Sequence, residues 1–453
     1  MLKSKVRLHV VSAGILREDM IMLGDSYVKQ WKIPVNHPIT IRFGSFRQSV
    51  TVSSVPKSDG LRISHALARN MGLSNGVPLR LTYAQQTLKI GPLIGVLISR
   101  DYPAVPDRPF GTITAFCREM VDACHSQGAV ACFFTPEHVK DSQRIQAWVY
   151  TKGCWQLTSM PIPDVVNNRL TSRSLENKPS VQHFMKEVKS RYQSHVFNEK
   201  FLDKTEVFDA LKASSELTRY LPESHLLRSY STLKTMSGRY QTLFLKPARG
   251  SLGKGIICIN RTSDNGFQAL YSNISGTKRQ NFSSLTKLFS TLSGKLKTNR
   301  YQIQQGLNLI DYAKRPIDFR ALVQKNIHGR WSITSIVART ASTQHFVSNV
   351  ARGGTLSTVK EAVGRSNLPS GAKNDIVGKL QRAALDIAKG IDTHIPAHFG
   401  ELGIDLAIDT SGKVWLLEVN SKPSKNDNTP LNVNRVRPSV RKTVEYARYL
   451  SGF

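Results

Sequence analysis

The chain of 453 residues lacks any run of 18 apolar residues, which excludes an ordinary transmembrane helix. It has no CxxC pair, and its five cysteines (117, 124, 132, 154 and 258) leave one over under any disulfide scheme. Reduced thiols in a cytoplasmic protein are therefore expected. Cys117, Cys124, His125, Cys132 and His138 could be grouped as a metal cluster. Cys117 and Cys124, however, fall on the apolar face of one predicted helix, where small core residues belong. There is no internal repeat, heptad run or low-complexity tract. The opening "MLKSKVRLHVVSAGIL" is basic, but Arg7 and His9 interrupt its apolar stretch, so a signal peptide is not expected. Acidic residues are scarce: 32 Asp and Glu face 63 Lys and Arg, a formal charge of +31. Such an excess suits a polyanionic partner, whether nucleic acid, an acidic polymer or peptide, or an anionic surface. A generally basic surface is the plainer alternative. No RNP-type aromatic motif, zinc finger or clear helix-turn-helix supports nucleic-acid reading. The basic residues are dispersed, with 13 Lys and Arg against 4 Asp and Glu in residues 1 to 90.

At this length one hydrophobic core does not suffice, and two to four domains are expected. Residues 1–90 carry short β-rich segments broken by Gly, Pro and Ser, and predict a β-rich accessory domain. "GPLIGVLIS" is apolar on both faces, like a buried parallel strand. A helix with the face Ile113, Phe116, Cys117, Met120, Val121 and Cys124 follows, then the strand "AVACFF". This β-α-β order predicts an open α/β domain over 91–195, with "WVYTKGCWQL" as a hairpin inside it. From 196 the pattern changes to a helix, two strands around a Gly-rich turn, further strands and a helix near 374–390. Residues 196–310 and 311–430 are assigned as two lobes, and 431–453 as a basic helical tail.

Two segments carry chemistry. In "GIDLAIDTSGKVWLLEVNSKPSK", residues 403–409 and 413–419 read as strands joined by a two-residue Ser411-Gly412 turn. That turn pairs Thr410 with Lys413, Ala407 with Leu416 and Asp405 with Glu418, and Asn420 shares the face of Glu418. Facing carboxylates repel unless a cation lies between them. Asp409, on the same strand face but beside the turn, reads as solvated. In "FLKPARGSLGKGI", glycines 250, 253 and 255 accompany Lys246 and Lys254, a composition that lets backbone amides approach phosphate. It is not a Walker loop: Ala248 replaces the first glycine and Gly255 stands where Ser or Thr would bind magnesium. A Gly-rich hairpin covering phosphates fits, with a plain β-turn as the alternative.

In order, the lysine-led Gly-rich hairpin, "IDFRALVQKN", and Asp405 with Glu418-Val-Asn420 resemble the ATP-grasp superfamily over roughly residues 196–430. "GPLIGVL", "PDVVNNR", "FLDKTEVFDALKAS", "YLPES", "QQGLNL" and "SNVARGG" are similar to its YheC/YheD-type endospore-coat-associated branch. The fold that the resemblance implies is α/β (α+β): an ATP-grasp unit preceded by an open α/β domain and the N-terminal β-rich domain. It implies ATP as cosubstrate and Mg²⁺, with Mn²⁺ as an alternative, held by Asp405, Glu418 and Asn420. Lys204 and Lys246 become nucleotide lysines, and Gly250, Ser251, Gly253 and Gly255 the phosphate lid. Backbone groups from Gln305 to Leu307 would hold adenine. Arg320, Arg339 and Asn349 would lie near the transferred phosphate, with Arg352-Gly353-Gly354 close by, and Lys422 would meet substrate. Surface or half-exposed strand positions are the alternative for Lys204, Arg320 and Arg339.

The activity so implied is a carboxylate–amine (or thiol) ligase working through an acylphosphate, in the cytoplasm or linked to a spore coat. It needs no protein nucleophile, which agrees with the lack of a convincing Ser-His-Asp or Cys-His set. A phosphotransferase using the same ATP site, and a non-catalytic coat scaffold, are the alternatives.

Overall fold

The computed structural model describes residues 4–453 apart from 13, 57, 59, 140–142, 249–254, 274–275, 343–353 and 425–435. Apolar residues alternate with polar ones along "PITIRF" and "SVTVSS", so each strand has one face to bury. Seven strands satisfy this by closing into a barrel: β1 (Ser4–Val11), β2 (Met20–Gly24), β3 (Pro38–Phe43), β4 (Phe46–Val55), β5 (Leu61–Ser64), β6 (Pro78–Ala84) and β7 (Thr87–Gly91). Two seven-residue helices, Asp25–Trp31 and His65–Met71, interrupt this β-rich region and did not stand out in its pattern.

The second sheet holds β8 (Leu93–Leu97), β9 (Val130–Phe134), β10 (Arg144–Thr151), β11 (Cys154–Pro161), β12 (Val165–Asn168) and β13 (His195–Phe197), in the order β11-β10-β9-β8-β12-β13. All five residues of β8 are buried, as its unbroken apolar run requires. β8 runs parallel to β9 and β12, and β10–β11 is the expected hairpin. The helix Thr114–Gln127 buries Phe116, Cys117, Met120, Ala123 and Cys124, so these cysteines are core residues.

An antiparallel sheet follows, built from β14 (Ser224–Leu226), β15 (Thr242–Pro247), β16 (Ile257–Arg261), β17 (Phe267–Asn273), β18 (Gly276–Phe282) and β19 (Tyr301–Gln305). The fourth sheet runs β23-β22-β21-β24-β25, from β21 (Arg315–Lys325), β22 (Trp331–Thr340), β23 (Thr355–Ser357), β24 (Glu401–Ile408) and β25 (Val414–Asn420), with the short β20 (Asp311–Tyr312) against β21. Every residue of β24 is buried. The amphipathic helix Ile376–His394 covers this sheet through Leu380, Ala383, Ala384 and Ile387.

The final hairpin differs from the expected one in two compensating ways. Asp409 pairs with Lys413 rather than Thr410 with Lys413, giving a three-residue loop with Gly412 at φ +83°. Ala407 consequently faces Trp415, not Leu416. A β-bulge at Leu417 then absorbs the extra residue and restores Asp405 opposite Glu418. Asp409 is not simply solvated: its carboxylate accepts from the backbone of Ser411 and Lys413 and from Trp415 Nε1, at 2.8 to 3.0 Å.

The C-terminal helix, Pro438–Leu450, is not a loose tail. Val440, Val444, Tyr446 and Ala447 join Phe116, Met120 and Phe133 in one core cluster. Arg437 pairs with Glu119 at 2.6 Å, and Gln324 donates to the Ser439 carbonyl at 2.9 Å. The helix therefore ties the second sheet to β21. Val444→Asp, which buries a charge without a partner, should cost more than about 3 kcal/mol in urea unfolding. The exposed Arg441→Ala should stay within about 0.5 kcal/mol. A detached tail would leave both variants as stable as the parent.

Candidate functional site

One row of charges crosses the fourth sheet. Asp318 and Arg320 lie two residues apart on β21 and so share a face. Arg339 on β22 stands opposite Asp318, Asp405 on β24 opposite Arg320, and Glu418 on β25 opposite Asp405. The order across the strands is thus Arg339, Asp318–Arg320, Asp405, Glu418. Arg339 Nε reaches Asp318 at 2.5 Å and its terminal nitrogen reaches Asp405 at 3.2 Å. Arg320 grips Asp405 with two nitrogens, one to each carboxylate oxygen, the second at 3.0 Å. Gly403 makes room for this grip: a Cβ there would stand 2.9 Å from Pro423 and 3.5 Å from an Arg320 terminal nitrogen.

Burial alone would raise the Asp405 carboxyl, but Arg320 and Arg339 outweigh it and hold the group below its ordinary 3.8. Burial likewise opposes the charge on Arg339, and Asp405 and Asp318 more than compensate. The two arginines are thus not half-exposed strand residues: each is paired with a carboxylate of the sheet.

Two lysines approach the row from other elements. Asp203 caps the helix Lys204–Lys212 through the Thr205 amide, and the Lys204 amide donates to the Ala248 carbonyl at 3.4 Å. This fixes the first helical turn beside β15 and directs Lys204 Nζ to Glu418 Oε1, 3.1 Å away. Lys204 is not a surface lysine; its side chain is 12% exposed. Lys246 on β15 donates to Gln304 Oε1. Burial pulls its pKa down to about 8, while Glu418 and Asp405 oppose that shift and Lys204 adds to it. Lys204, Lys246, Arg320, Arg339, Asp405 and Glu418 therefore form one electrostatic unit.

The other expected residues lie around it. Asn420 faces Gly403, two residues past Glu418, and its carboxamide has no partner among the described residues. Gly255 has φ +73°, with its carbonyl accepting from the Tyr301 hydroxyl at 3.3 Å. Gly250, Ser251, Gly253, Asn349, Arg352 and Gly353 lie outside the described residues. The Gln305 amide is taken by the Glu223 carbonyl and the Gly306 amide by Thr242. The Leu307 amide has no partner among the described residues, which leaves it as the donor available to a ligand. Lys422 does not open toward a substrate: it forms a buried ion pair with Glu176, and burial lowers it to about 8.

Sequence reasoning overlooked Asp318, Glu176, Gln304 and the Arg169–Glu401 pair at 2.5 Å. The signal for Asp318 was present: "IDFRALV" places opposite charges at i and i+2 in an otherwise apolar strand.

A hard divalent cation prefers carboxylate and amide oxygens. Glu418, with a quarter of its side chain exposed, and Asn420 offer such atoms. Asp405 adds to the set by sharing, since each carboxylate oxygen carries two lone-pair directions. The donor chemistry fits Mg²⁺ at this corner of the sheet.

The paired Asp405 has a pH signature. Because its folded pKa is depressed, its stabilisation is complete above the unfolded value of 3.8 and is lost as pH falls toward the lower folded value. The gap in unfolding free energy between the parent and Asp405→Asn should be constant above about pH 5 and narrow below about pH 4. A gap unchanged down to about pH 3 would contradict this pairing.

A family model described as YheC/D like ATP-grasp matches residues 193–450. The endospore coat-associated protein YheD of Bacillus subtilis (strain 168) is 30% identical over 369 residues, covering 81% of this chain and 80% of YheD. YheC of the same organism is 27% identical over 322 residues, covering 68% of this chain and 83% of YheC. Among solved structures, the D-alanine-D-alanine ligase from Coxiella burnetii aligns over 80% of this chain and 95% of its own, at 12% identity and a TM-score of 0.45. No helix among the described residues is long and apolar enough to cross a membrane. With more than half of the chain matched by its model, this protein belongs to the YheC/D-like ATP-grasp family.

Proposed function

We propose that this chain is an ATP- and Mg²⁺-dependent ligase that joins a carboxylate to an amine or thiol through an acylphosphate, forming ADP. The observation that carries this reading is the convergence of Lys204, from a helix, and Lys246, from the third sheet, on Asp405 and Glu418 around an accessible Glu418–Asn420 corner. Lysines gathered over carboxylates suit a ligand that brings phosphates and a divalent cation together. Lys204, Lys246 and Gly255 would face the phosphates, and the Leu307 amide would hold the base. Glu418, Asn420 and Asp405 would hold Mg²⁺, which supplies charge neutralisation at the phosphate oxygens when bound. Arg320 and Arg339 would act through Asp405, as positioning residues.

In the proposed reaction a substrate carboxylate oxygen attacks the γ-phosphorus. The bond from that phosphorus to its bridging oxygen breaks, and ADP leaves with the electron pair. The amine nitrogen or thiol sulfur then attacks the acyl carbon, phosphate departs, and the nucleophile gives up its proton. Positioning and fixed charge provide the acceleration. Direct transfer of the phosphoryl group to a hydroxyl would use the same ATP site and yield a stable phosphorylated product. The names of the relatives support association with an endospore coat. The basic surface favours an acidic peptide or polymer as substrate or partner.

A second reading rests on one observation: the carboxylates already have cationic partners within the chain, so the unit is electrostatically complete without ligands. A non-catalytic scaffold would look like this. Thermal unfolding separates the two. Mg·ATP at about 100 times its Kd should add roughly 2.7 kcal/mol, a shift of a few degrees that needs magnesium and diminishes in Glu418→Gln. No shift in folded protein would favour the scaffold.

Lys246 provides an independent check. With its pKa near 8 it is about half charged at pH 8, and neighbouring phosphates would restore the proton. Mg·ATP binding at that pH should take up as much as about half a proton from this group, measured by calorimetry in buffers of different ionisation enthalpy. Lys246→Met should remove that uptake.

A further inference from the structure

A second concentration of charge lies on the N-terminal barrel. Lys5, Arg7 and His9 alternate along β1, so all three point outward from the same strand face and are exposed. Their cross-strand neighbours extend the charge instead of cancelling it: Arg80 on β6 faces Lys5, and Arg62 on β5 faces His9. Like charges directly opposite each other destabilise a sheet. The end of the helix Thr114–Gln127 relieves part of this, because Lys5 Nζ donates to the Ser126 carbonyl at 2.6 Å and Arg80 to the Gln127 carbonyl at 2.8 Å. Arg7, His9 and Arg62 have no ion pair or side-chain hydrogen bond among the described residues.

Lys5, Arg7 and His9 line a cavity of about 510 Å³ between the barrel and that helix, together with Val6, Gly60, Pro78, His125 and Ser126. No carboxylate lines it among the described residues. Asp122, on the neighbouring turn of the helix, pairs with Arg118 at 3.1 Å. At Gly60 the cavity floor is bare backbone: a Cβ there would sit 3.2 Å from the His9 ring. Burial, then Lys5 and Arg7, lower the pKa of the His125 imidazole, with Asp122 opposing them and Arg118 adding to them, so the field of the bases outweighs that of the one nearby carboxylate.

We propose that this cavity is an anion site for a small phosphate-bearing molecule, separate from the nucleotide corner of the fourth sheet. Its volume is that of a small-molecule site, and concave walls suit a compact ligand more than a polymer laid across a surface. Arg7 offers a planar fork of donors to phosphate oxygens, with Lys5, His9 and His125 contributing charge or further N–H groups from two sides.

Pyrophosphate serves as the probe, added to the full chain while the imidazole resonances of His9 and His125 are followed by NMR, assigned from His9→Gln and His125→Gln. Both resonances should shift saturably, and sodium chloride of equal ionic strength should not reproduce the shift. Arg7→Ala should weaken the response about tenfold or more, and Arg7→Lys less so. Arg7 is exposed on the barrel's outer face, so neither change disturbs the core, and Lys246→Ala should leave both shifts intact. Several outcomes would overturn the proposal: resonances unmoved at high pyrophosphate, an Arg7→Ala response equal to the parent's, or full mimicry by chloride. A response to a polyanionic chain but none to pyrophosphate would also overturn it.

Discussion

The buried carboxylate of Asp405 sets the terms for the fourth sheet. A charge at 7% exposure without partners would cost several kcal/mol, so the strands around it must deliver cations. Arg320 does so only when β21 and β24 pair with Arg320 opposite Asp405, and Arg339 only when β22 holds its own register against Asp318. A slip of one residue in either ladder would turn these side chains to the other face. The bulge at Leu417 belongs to the same constraint, because without it Glu418 would not stand beside Asp405. The pairs specify registers more than they add net stability.

Similar pairs extend order beyond that sheet. Glu176 accepts from the Phe201 amide at 2.8 Å and from Asn168 at 3.1 Å, as well as from Lys422. Arg169, which follows β12, reaches Glu401 at the start of β24 and the Pro423 carbonyl at 3.0 Å. The chain leaving Asn420 is therefore held by Arg169 and Glu176, which lie just after β12 of the second sheet. This gives "PDVVNNRL" a role that its apolar pattern did not disclose: its polar residues anchor the segment that follows the candidate metal ligands.

Local pattern made some of this legible and topology hid the rest. The opposition of Asp405 and Glu418 depends on one hairpin, Glu401–Ile408 with Val414–Asn420, and turn chemistry with period-two alternation is enough to propose it. Even there the turn was read one residue too short, and the right pair emerged because a bulge cancels that error. Arg320 and Asp405 are 85 residues apart, and Lys204 and Glu418 are 214 apart. No local rule predicts which strands become neighbours over such separations. Resemblance placed these residues in one site, but it could not say that the arginines grip the aspartate. Barrel closure was hidden for a similar reason, since the strand order β1-β5-β2-β4-β3-β7-β6 is set by long-range pairing.

Several of the scarce acids are used inside the protein. Glu176, Asp318, Glu401 and Asp405 are all at most 7% exposed, each bound to a lysine or arginine inside the protein. Each takes one base inside with it, so the pairs leave the net +31 unchanged while removing four of the few acids that could face bases elsewhere. The same problem, like charges facing across a ladder, thus occurs twice with different outcomes. For Asp405 and Glu418 the chain supplies the opposite charges itself, from Arg320, Arg339 and Lys204. For the bases on β1 and its neighbours the described residues supply the carbonyls at a helix end, which accept from Lys5 and Arg80. The field around Arg7 and His9 is one part of the +31 with a defined place in the fold, and it is the part that the proposed anion site would use.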